Sequence, residues 1–333
     1  MMRKPSPLLP GTIISRATAL PGQDFLPIIY SPEAPSLGAF VFLLFLLAFS
    51  LLSCNLDPDP GERYALVYGV ATYVEPGNQL EYSDDDAIAV ESLLKERGYP
   101  EGNVITRVDA AATKDQIEED INSLVKRAKE DSLLVFFFSG HGLQVEDSDG
   151  TTHESIFLYH PSNTFLGKLK DDELMRLLQK IPSKRKVILI DACNSGGFIG
   201  DFPGVDGIPP DYQGSRVDYL KAARKAFVKY FANVEAGDIP YTEAVVIAAA
   251  GAPELSFEAK TDFNGNPVNH GIFTYYLLQA TRHADRNRDG WITALELYRY
   301  TQDRIEKDWN KYLSSGEMFL PRISGGPLDL VIF

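Results

Sequence analysis

The sequence predicts an α/β protein built on one largely parallel sheet of about six strands, with helices on both faces. Three observations carry this. Tyr64–Val70 (YALVYGV), the apolar part of Leu133–Leu143 (LLVFFFSGHGL) and that of Lys186–Phe198 (KVILIDACNSGGF) are continuous apolar runs without polar alternation. That is how strands covered on both faces read. Segments of helical spacing alternate with these runs, which implies crossover connections and parallel neighbours. Finally, two of the runs end in glycine-flanked turns carrying His141 and Cys193, and open α/β sheets hold their chemistry beyond the carboxyl ends of the strands.

Tyr64–Val70 is the first strand. Ser83, Asp84, Asp85 and Asp86 precede a helix, Ala87–Arg97, with Ile88, Leu93 and Leu94 as its apolar stripe; the helix dipole alone favours acidic residues there. Asn103–Val108 is a second strand. Thr113 and Gln116 form a capping box for a helix over Lys114–Lys129, whose Ile117, Ile121, Leu124 and Val125 repeat at helical spacing. After the His141 strand the chain is polar from Gln144 to Pro161, with Ser155–Tyr159 as one strand of a small hairpin and His153 and His160 expected at the surface. Lys170–Lys180 is a helix with Leu174, Leu177 and Leu178 inward. Beyond the Cys193 strand, 199–240 is mixed: it opens loop-like and then takes helical spacing over Val217–Phe231, with Lys221, Arg224, Lys225 and Lys229. Thr242–Ala250 is another buried strand, Asn269–His283 a helix, and Leu328–Phe333 (LDLVIF) the last strand.

The first 54 residues differ in kind. Met1–Phe40 is rich in Pro, Ser and Gly and has no period, as disordered leaders do. Leu37–Leu56 then runs for 20 residues without a charge, long enough to span a bilayer. Its end, Leu51-Leu52-Ser53-Cys54, is similar to a bacterial lipoprotein signal, in which the peptide is cut before a cysteine that carries lipid. The basic residues Arg3, Lys4 and Arg16 lie far upstream for a signal peptide, so an uncleaved anchor is the alternative; the mass of the mature N-terminus decides between them. Either reading expects a membrane-tethered, exported protein. Residues 55–62 (NLDPDPGE) are a polar linker, and 63–333 is one domain. A net charge of −14 argues against nucleic acid as a partner and suits basic substrates.

Cys193 and His141 are a thiol and a base at two strand ends. Only a thiolate is a strong nucleophile, and a neighbouring imidazole generates it at neutral pH. The amides of Gly142 and Cys193 are candidate oxyanion donors. The bland alternative is a satisfied histidine and an inert buried cysteine. With Cys54 carrying lipid, Cys193 is the one free thiol of a chain that has two cysteines.

SGHG after one apolar strand and DACNSGG after another, 52 residues from His to Cys, resembles the caspase and metacaspase family of cysteine peptidases over about Arg63–Phe333. Caspases carry Gln where this chain has Asp191, so the resemblance leans to the metacaspases. It implies a caspase-like fold and hydrolysis of peptide bonds by a Cys193/His141 dyad, with no cofactor for catalysis. It also implies a pocket for the residue before the cut, lined by Asp86 and Asp191, with Ser139 nearby and Ser83 where metacaspases often have Cys. Two carboxylates facing one pocket favour Arg or Lys and repel Asp, so the expected partners are protein or peptide substrates with basic residues. In the family the stretch holding Glu254 and Glu258 borders the cleft, where they could assist a basic substrate; an enzyme of this specificity could also cut itself within 199–240, the alternative for Val217–Phe231 being the solvated face of a surface helix. The rival readings are a catalytically silent calcium-binding scaffold and another acyl transfer by the same dyad, such as transpeptidation.

Residues 285–296 (DRNRDGWITALE) place Asp285, Asn287 and Asp289 at alternate positions, Gly290 sixth, Ile292 eighth and Glu296 twelfth. This is the pattern of an EF-hand calcium loop, in which the three short oxygen ligands, the Trp291 carbonyl and a bidentate Glu296 surround the ion. A lone loop of this kind is expected to hold a structural ion. The alternative is a polar interhelical turn.

Overall fold

The computed structural model describes residues 61–146, 148–150, 152–192, 244–249, 256–313, 318–319 and 321–333. The leader, the Leu37–Leu56 run, Cys54, Cys193, Glu254 and the 199–240 segment lie outside the described residues. Among the described residues no helix is long and apolar enough to cross a membrane.

The described strands are β1 (Arg63–Gly69), β2 (Val104–Val108), β3 (Leu133–Gly140), β4 (Gly142–Glu146), β5 (Thr152–Phe157), β6 (Lys168–Lys170), β7 (Arg185–Ala192), β8 (Ala244–Ala248), β9 (Glu258–Thr261), β10 (Pro267–Gly271) and β11 (Arg322–Ser324). The helices are α1 (Ser83–Glu96), α2 (Lys114–Val125), α3 (Asp171–Gln179), α4 (Ile272–His283) and α5 (Ala294–Asp308). Six strands form the central sheet in the order β11-β8-β7-β3-β1-β2. All neighbours are parallel except β11, which runs antiparallel to β8. This is the α/β sheet that the apolar runs predicted.

Alternation inside those runs sorts the core into two layers. Val67, Phe137, Leu189 and Ile247 are register partners across four strands and pack on one face with α1, α4 and α5. Their sequence neighbours Leu66, Tyr68, Phe136, Phe138 and Ile188 point the other way, onto α2 and α3. Phe136, Phe137 and Phe138 are all fully buried, each stabilising the fold by about 2–3 kcal/mol relative to exposure. Both faces being covered is why no polar residue interrupts the run.

Several expectations are corrected. Leu328–Phe333 is not a sheet strand. Its backbone serves the start of α5: Ala294 N donates to Leu330 O (2.9 Å), Leu295 N to Leu328 O (2.9 Å) and Ile292 N to Phe333 O (2.8 Å). The first amides of a helix lack intrahelical partners, and this apolar tail meets two of them while burying Ile332 and Phe333 in the core. The edge position it was expected to fill belongs to β11. Helix α1 begins at Ser83, so the acidic residues lie in its first turn; its inward face is Ala87, Val90, Leu93 and Leu94, while Ile88 is exposed. The Thr113 cap exists, with Gln116 N donating to Thr113 Oγ1 at 3.2 Å, but the Gln116 side chain turns to Glu119 and Asp120 instead of closing the box. β5 belongs to a three-stranded sheet with β4 and β6, not to a simple hairpin. Residues 267–271 form a strand before α4 starts, with a register shift between Pro267 and His270 and Asn269 at φ 50°.

Candidate active site

Register gathers the predicted residues. Gly69, Ser139 and Asp191 are partners at the carboxyl ends of β1, β3 and β7, and Gly140 pairs with Ala192 one step further. His141 and Cys193 are the next residues in sequence after these two strands. Gly69 lets α1 close on this end: a Cβ there would lie 2.2 Å from the Ser83 carbonyl oxygen and 2.7 Å from Ala87 Cβ. Ser83 and Asp86, in the first turn of α1, are thereby held over Ser139. A pocket at this end is lined by Ser83, Ser139, His141, Asp191 and Glu258, with Gly271 in its wall.

His141 is half-buried and fixed at three atoms. Its amide donates to Tyr73 Oη (2.9 Å), and its carbonyl accepts from Phe157 N (3.0 Å). Its Nε2–H donates to the Asn78 carbonyl (2.8 Å). The Tyr73 ring lies 4.6 Å from the imidazole, and Tyr73 Oη in turn donates to the Phe157 carbonyl (2.9 Å). Gly140 makes room for this: a Cβ would come within 2.9 Å of Tyr73 Oη. Desolvation lowers the imidazole to about 4, against the Asn78 hydrogen bond, which raises it; the ring is therefore neutral at neutral pH. No catalytic partner beyond the dyad was evident in the sequence. The Asn78 carbonyl fills the orienting place, and a backbone acceptor leaves no mark in residue type. Gly142 opens β4 opposite Ile156. Cys193, and with it the second oxyanion donor, lies outside the described residues.

The acidic pair is buried and heavily bonded. Asp86 accepts from Ser139 Oγ (2.8 Å), from the Gly271 amide (3.2 Å to each oxygen) and from His270 Nδ1 (2.8 Å). Asp191 accepts from Ser256 Oγ at one oxygen, and from Thr274 N (3.0 Å) and Thr274 Oγ1 (2.6 Å) at the other. A Cβ on Gly271 would stand 2.3 Å from Asp191 Oδ2 and 2.9 Å from Asp86 Oδ2, so the two carboxylates meet at this glycine. Burial raises the proton affinity of both, and the hydrogen bonds oppose it. Asp86, though expected to line the pocket, sits behind Ser139; of the pair, Asp191 is the one on its wall.

Glu258, expected at the cleft border, faces the pocket, but its oxygens are engaged. They accept from Glu81 N (2.7 Å), Tyr82 N (3.0 Å) and Ser83 Oγ (2.9 Å). The α1 N-cap residue is Tyr82, which has no capping side chain, so Glu258 supplies the cap from another strand. His270, unremarked in the sequence, is held against Asp86 by the β10 irregularity. His153 and His160 are half-buried at the surface: His153 Nδ1 lies 3.1 Å from Asp171 Oδ1, and His160 Nδ1 accepts from Ser162 N (3.2 Å).

In the 285–296 loop, Asp285 accepts from Arg288 N (2.6 Å) and Gly290 N (3.0 Å), and Asp289 from Trp291 N (2.8 Å). Gly290 takes φ 89°. Glu296 closes a capping box with Thr293 at the head of α5.

The fold is that of an α/β protein with its pocket at the sheet's carboxyl end; the crystal structure of a Geobacter sulfurreducens protein shares the fold, with a TM-score of 0.53 and 19% identity over 81% of this chain and 97% of that one. The family model for the caspase domain matches residues 62–318, and the chain belongs to that family. Curated relatives are similar over a shorter stretch. Metacaspase-1 of Schizosaccharomyces pombe is 30% identical over 154 residues, 43% of this chain and 36% of that protein. Metacaspase-1A of Aspergillus oryzae is 31% identical over 154 residues, again 43% and 36%. The matched stretch thus spans little more than a third of these relatives.

Proposed function

We propose that the chain is a cysteine endopeptidase that cleaves after Arg or Lys. The observation that carries this is the convergence of Ser83, Ser139 and Asp191, backed by buried Asp86, in one pocket with His141. With Nε2–H given to the Asn78 carbonyl, the lone pair of His141 is on Nδ1, and Nδ1 takes the Cys193 proton. The thiolate adds to the scissile carbonyl, and the amides of Gly142 and Cys193 hold the oxyanion. His141 then protonates the leaving amine, and water hydrolyses the thioester. A base kept neutral by desolvation accepts the proton without first having to lose one. Fluorogenic peptides ending in Arg, Lys, Asp or Asn, given with calcium to wild type and Cys193→Ala, test the reading. Turnover of the Arg and Lys peptides by wild type alone is expected. Asp preference refutes the acidic pocket, and no turnover of any peptide favours a silent scaffold.

The same chain is proposed to hold one structural Ca²⁺ in residues 285–296. The donors are all hard oxygens, and Gly290 already has the turn the loop needs. Glu296 would exchange its cap on Thr293 for the ion. A site filled to a hundred times its dissociation constant stabilises by about 2.7 kcal/mol, so chelation should lower Tm by about 5 °C. Asp285→Ala should abolish that response; a Tm indifferent to chelator in wild type refutes the site.

A further inference from the structure

We propose that His270 is a specificity-determining residue: its imidazolium holds the buried Asp86–Asp191 pair in the ionised state that a basic substrate side chain needs. This rests on the Arg/Lys reading above and extends it to a residue outside the pocket wall.

The geometry is specific. Asp86 has no solvent-exposed surface, and both its oxygens are engaged from behind and above by Gly271, Ser139 and His270. His270 Nδ1 lies 2.8 Å from Asp86 Oδ1, and its side chain is 22% exposed. The imidazole is therefore the end of the cluster that reaches solvent, and it is absent from the lining of the pocket that holds Ser139. Among the described residues the charged groups around it are few. From α1 comes Asp86 and from β7 Asp191, while Glu258 of β9, the register partner of Gly271, acts on Asp191. The first turn of α4 carries no acidic residue. The cluster thus sets three buried or half-buried carboxylates against one cation.

Two carboxylates meeting at one glycine in a dry site cannot both stay charged without an opposing cation; otherwise the pair retains a proton. Burial and Asp191 both raise Asp86, and His270 lowers it. With His270 protonated, Asp191 presents a full charge to the pocket. With a neutral residue in its place, the pair shares a proton, which an incoming guanidinium has to displace.

The test is a pH series of kcat/KM on an Arg peptide, with calcium present, for full-length wild type, His270→Gln and His270→Lys. Alkylation of Cys193 by iodoacetamide, followed in parallel, reports the dyad without the pocket. His270→Gln should lose about tenfold in kcat/KM at pH 6, chiefly through KM, and recover by pH 9, where the pair ionises unaided. His270→Lys should restore most of the loss, and the alkylation profile should be the same for all three. A His270→Gln profile parallel to wild type overturns the proposal, as does a loss equal at every pH that Lys does not rescue. If wild type turns over no basic peptide although Cys193 alkylates, the Arg/Lys reading has failed and this proposal falls with it.

Discussion

Asp191→Asn should reduce kcat/KM on Arg and Lys peptides by about 100-fold or more, while Cys193 remains open to alkylation by iodoacetamide. Asp191 is the acidic residue of the pair on the pocket wall, and three of its acceptor positions are taken by Ser256 and Thr274. One lone pair, on the Oδ1 that Ser256 also approaches, is left for a substrate cation. A charge-assisted hydrogen bond in a desolvated site is worth about 1.5–3 kcal/mol, and the uncompensated guanidinium adds its own desolvation cost. The amide NH₂ either faces the Thr274 backbone N–H, which can only donate, or obliges the Ser256 hydroxyl to turn from donor to acceptor, so a fall in Tm should accompany the kinetic loss. The decisive comparison is between peptides: the loss should be large with Arg and small with an uncharged residue at that position. An equal loss with both would show that the substitution had only disordered the strand end. Because Asp191 is directly followed by Ala192 and Cys193, the alkylation rate is the control that separates these outcomes.

What was legible in the sequence and what was not divides by how far each feature's cause lies along the chain. The central strands could be read because burial on both faces writes itself as an unbroken apolar run. Ser139 and Asp191 could be placed together only through the family resemblance; the parallel register of β3 and β7 makes them partners. The capping role of Glu258 could not be read, since Tyr82 has no capping side chain and its partner lies 176 residues away. Asn78 contributes a carbonyl that any residue would provide. Asn269–Gly271 reads as the start of the helix because the apolar residues after it run on into one. Asn269 at φ 50° and the register shift beside it instead make a strand that delivers His270 to Asp86. LDLVIF has a strand's composition, but the unpaired amides at the head of α5 took its backbone. Local pattern showed which segments are buried; the choice among buried partners was made by donors and acceptors in distant segments.

Gly271→Ala adds one methyl group and should damage both the fold and the acidic pocket. The backbone at Gly271, φ −54° and ψ 136°, suits any residue, so conformational strain is not the cause. The new Cβ would lie 2.3 Å from Asp191 Oδ2 and 2.9 Å from Asp86 Oδ2, well inside contact distance, and neither carboxylate can withdraw. Asp191 is held by Thr274 in the first turn of α4, and Asp86 by the Gly271 amide itself. Relief has to come from shifting α4 or breaking those bonds. Overpacking a tight site costs about 1–3 kcal/mol, and an apolar methyl pressed on two carboxylates puts the cost at the upper end. For a domain of this size that corresponds to a fall in Tm of about 5 °C. Activity on Arg peptides should fall by about 100-fold or more, because the methyl separates the two charges that the pocket combines. Gly102→Ala is the comparator: a Cβ there meets nothing within 4 Å, and its Tm should stay within about 2 °C of wild type, as surface substitutions do. If Gly271→Ala melts with Gly102→Ala and keeps its preference for Arg, the two carboxylates do not meet at this glycine, and the acidic pocket is not built as described.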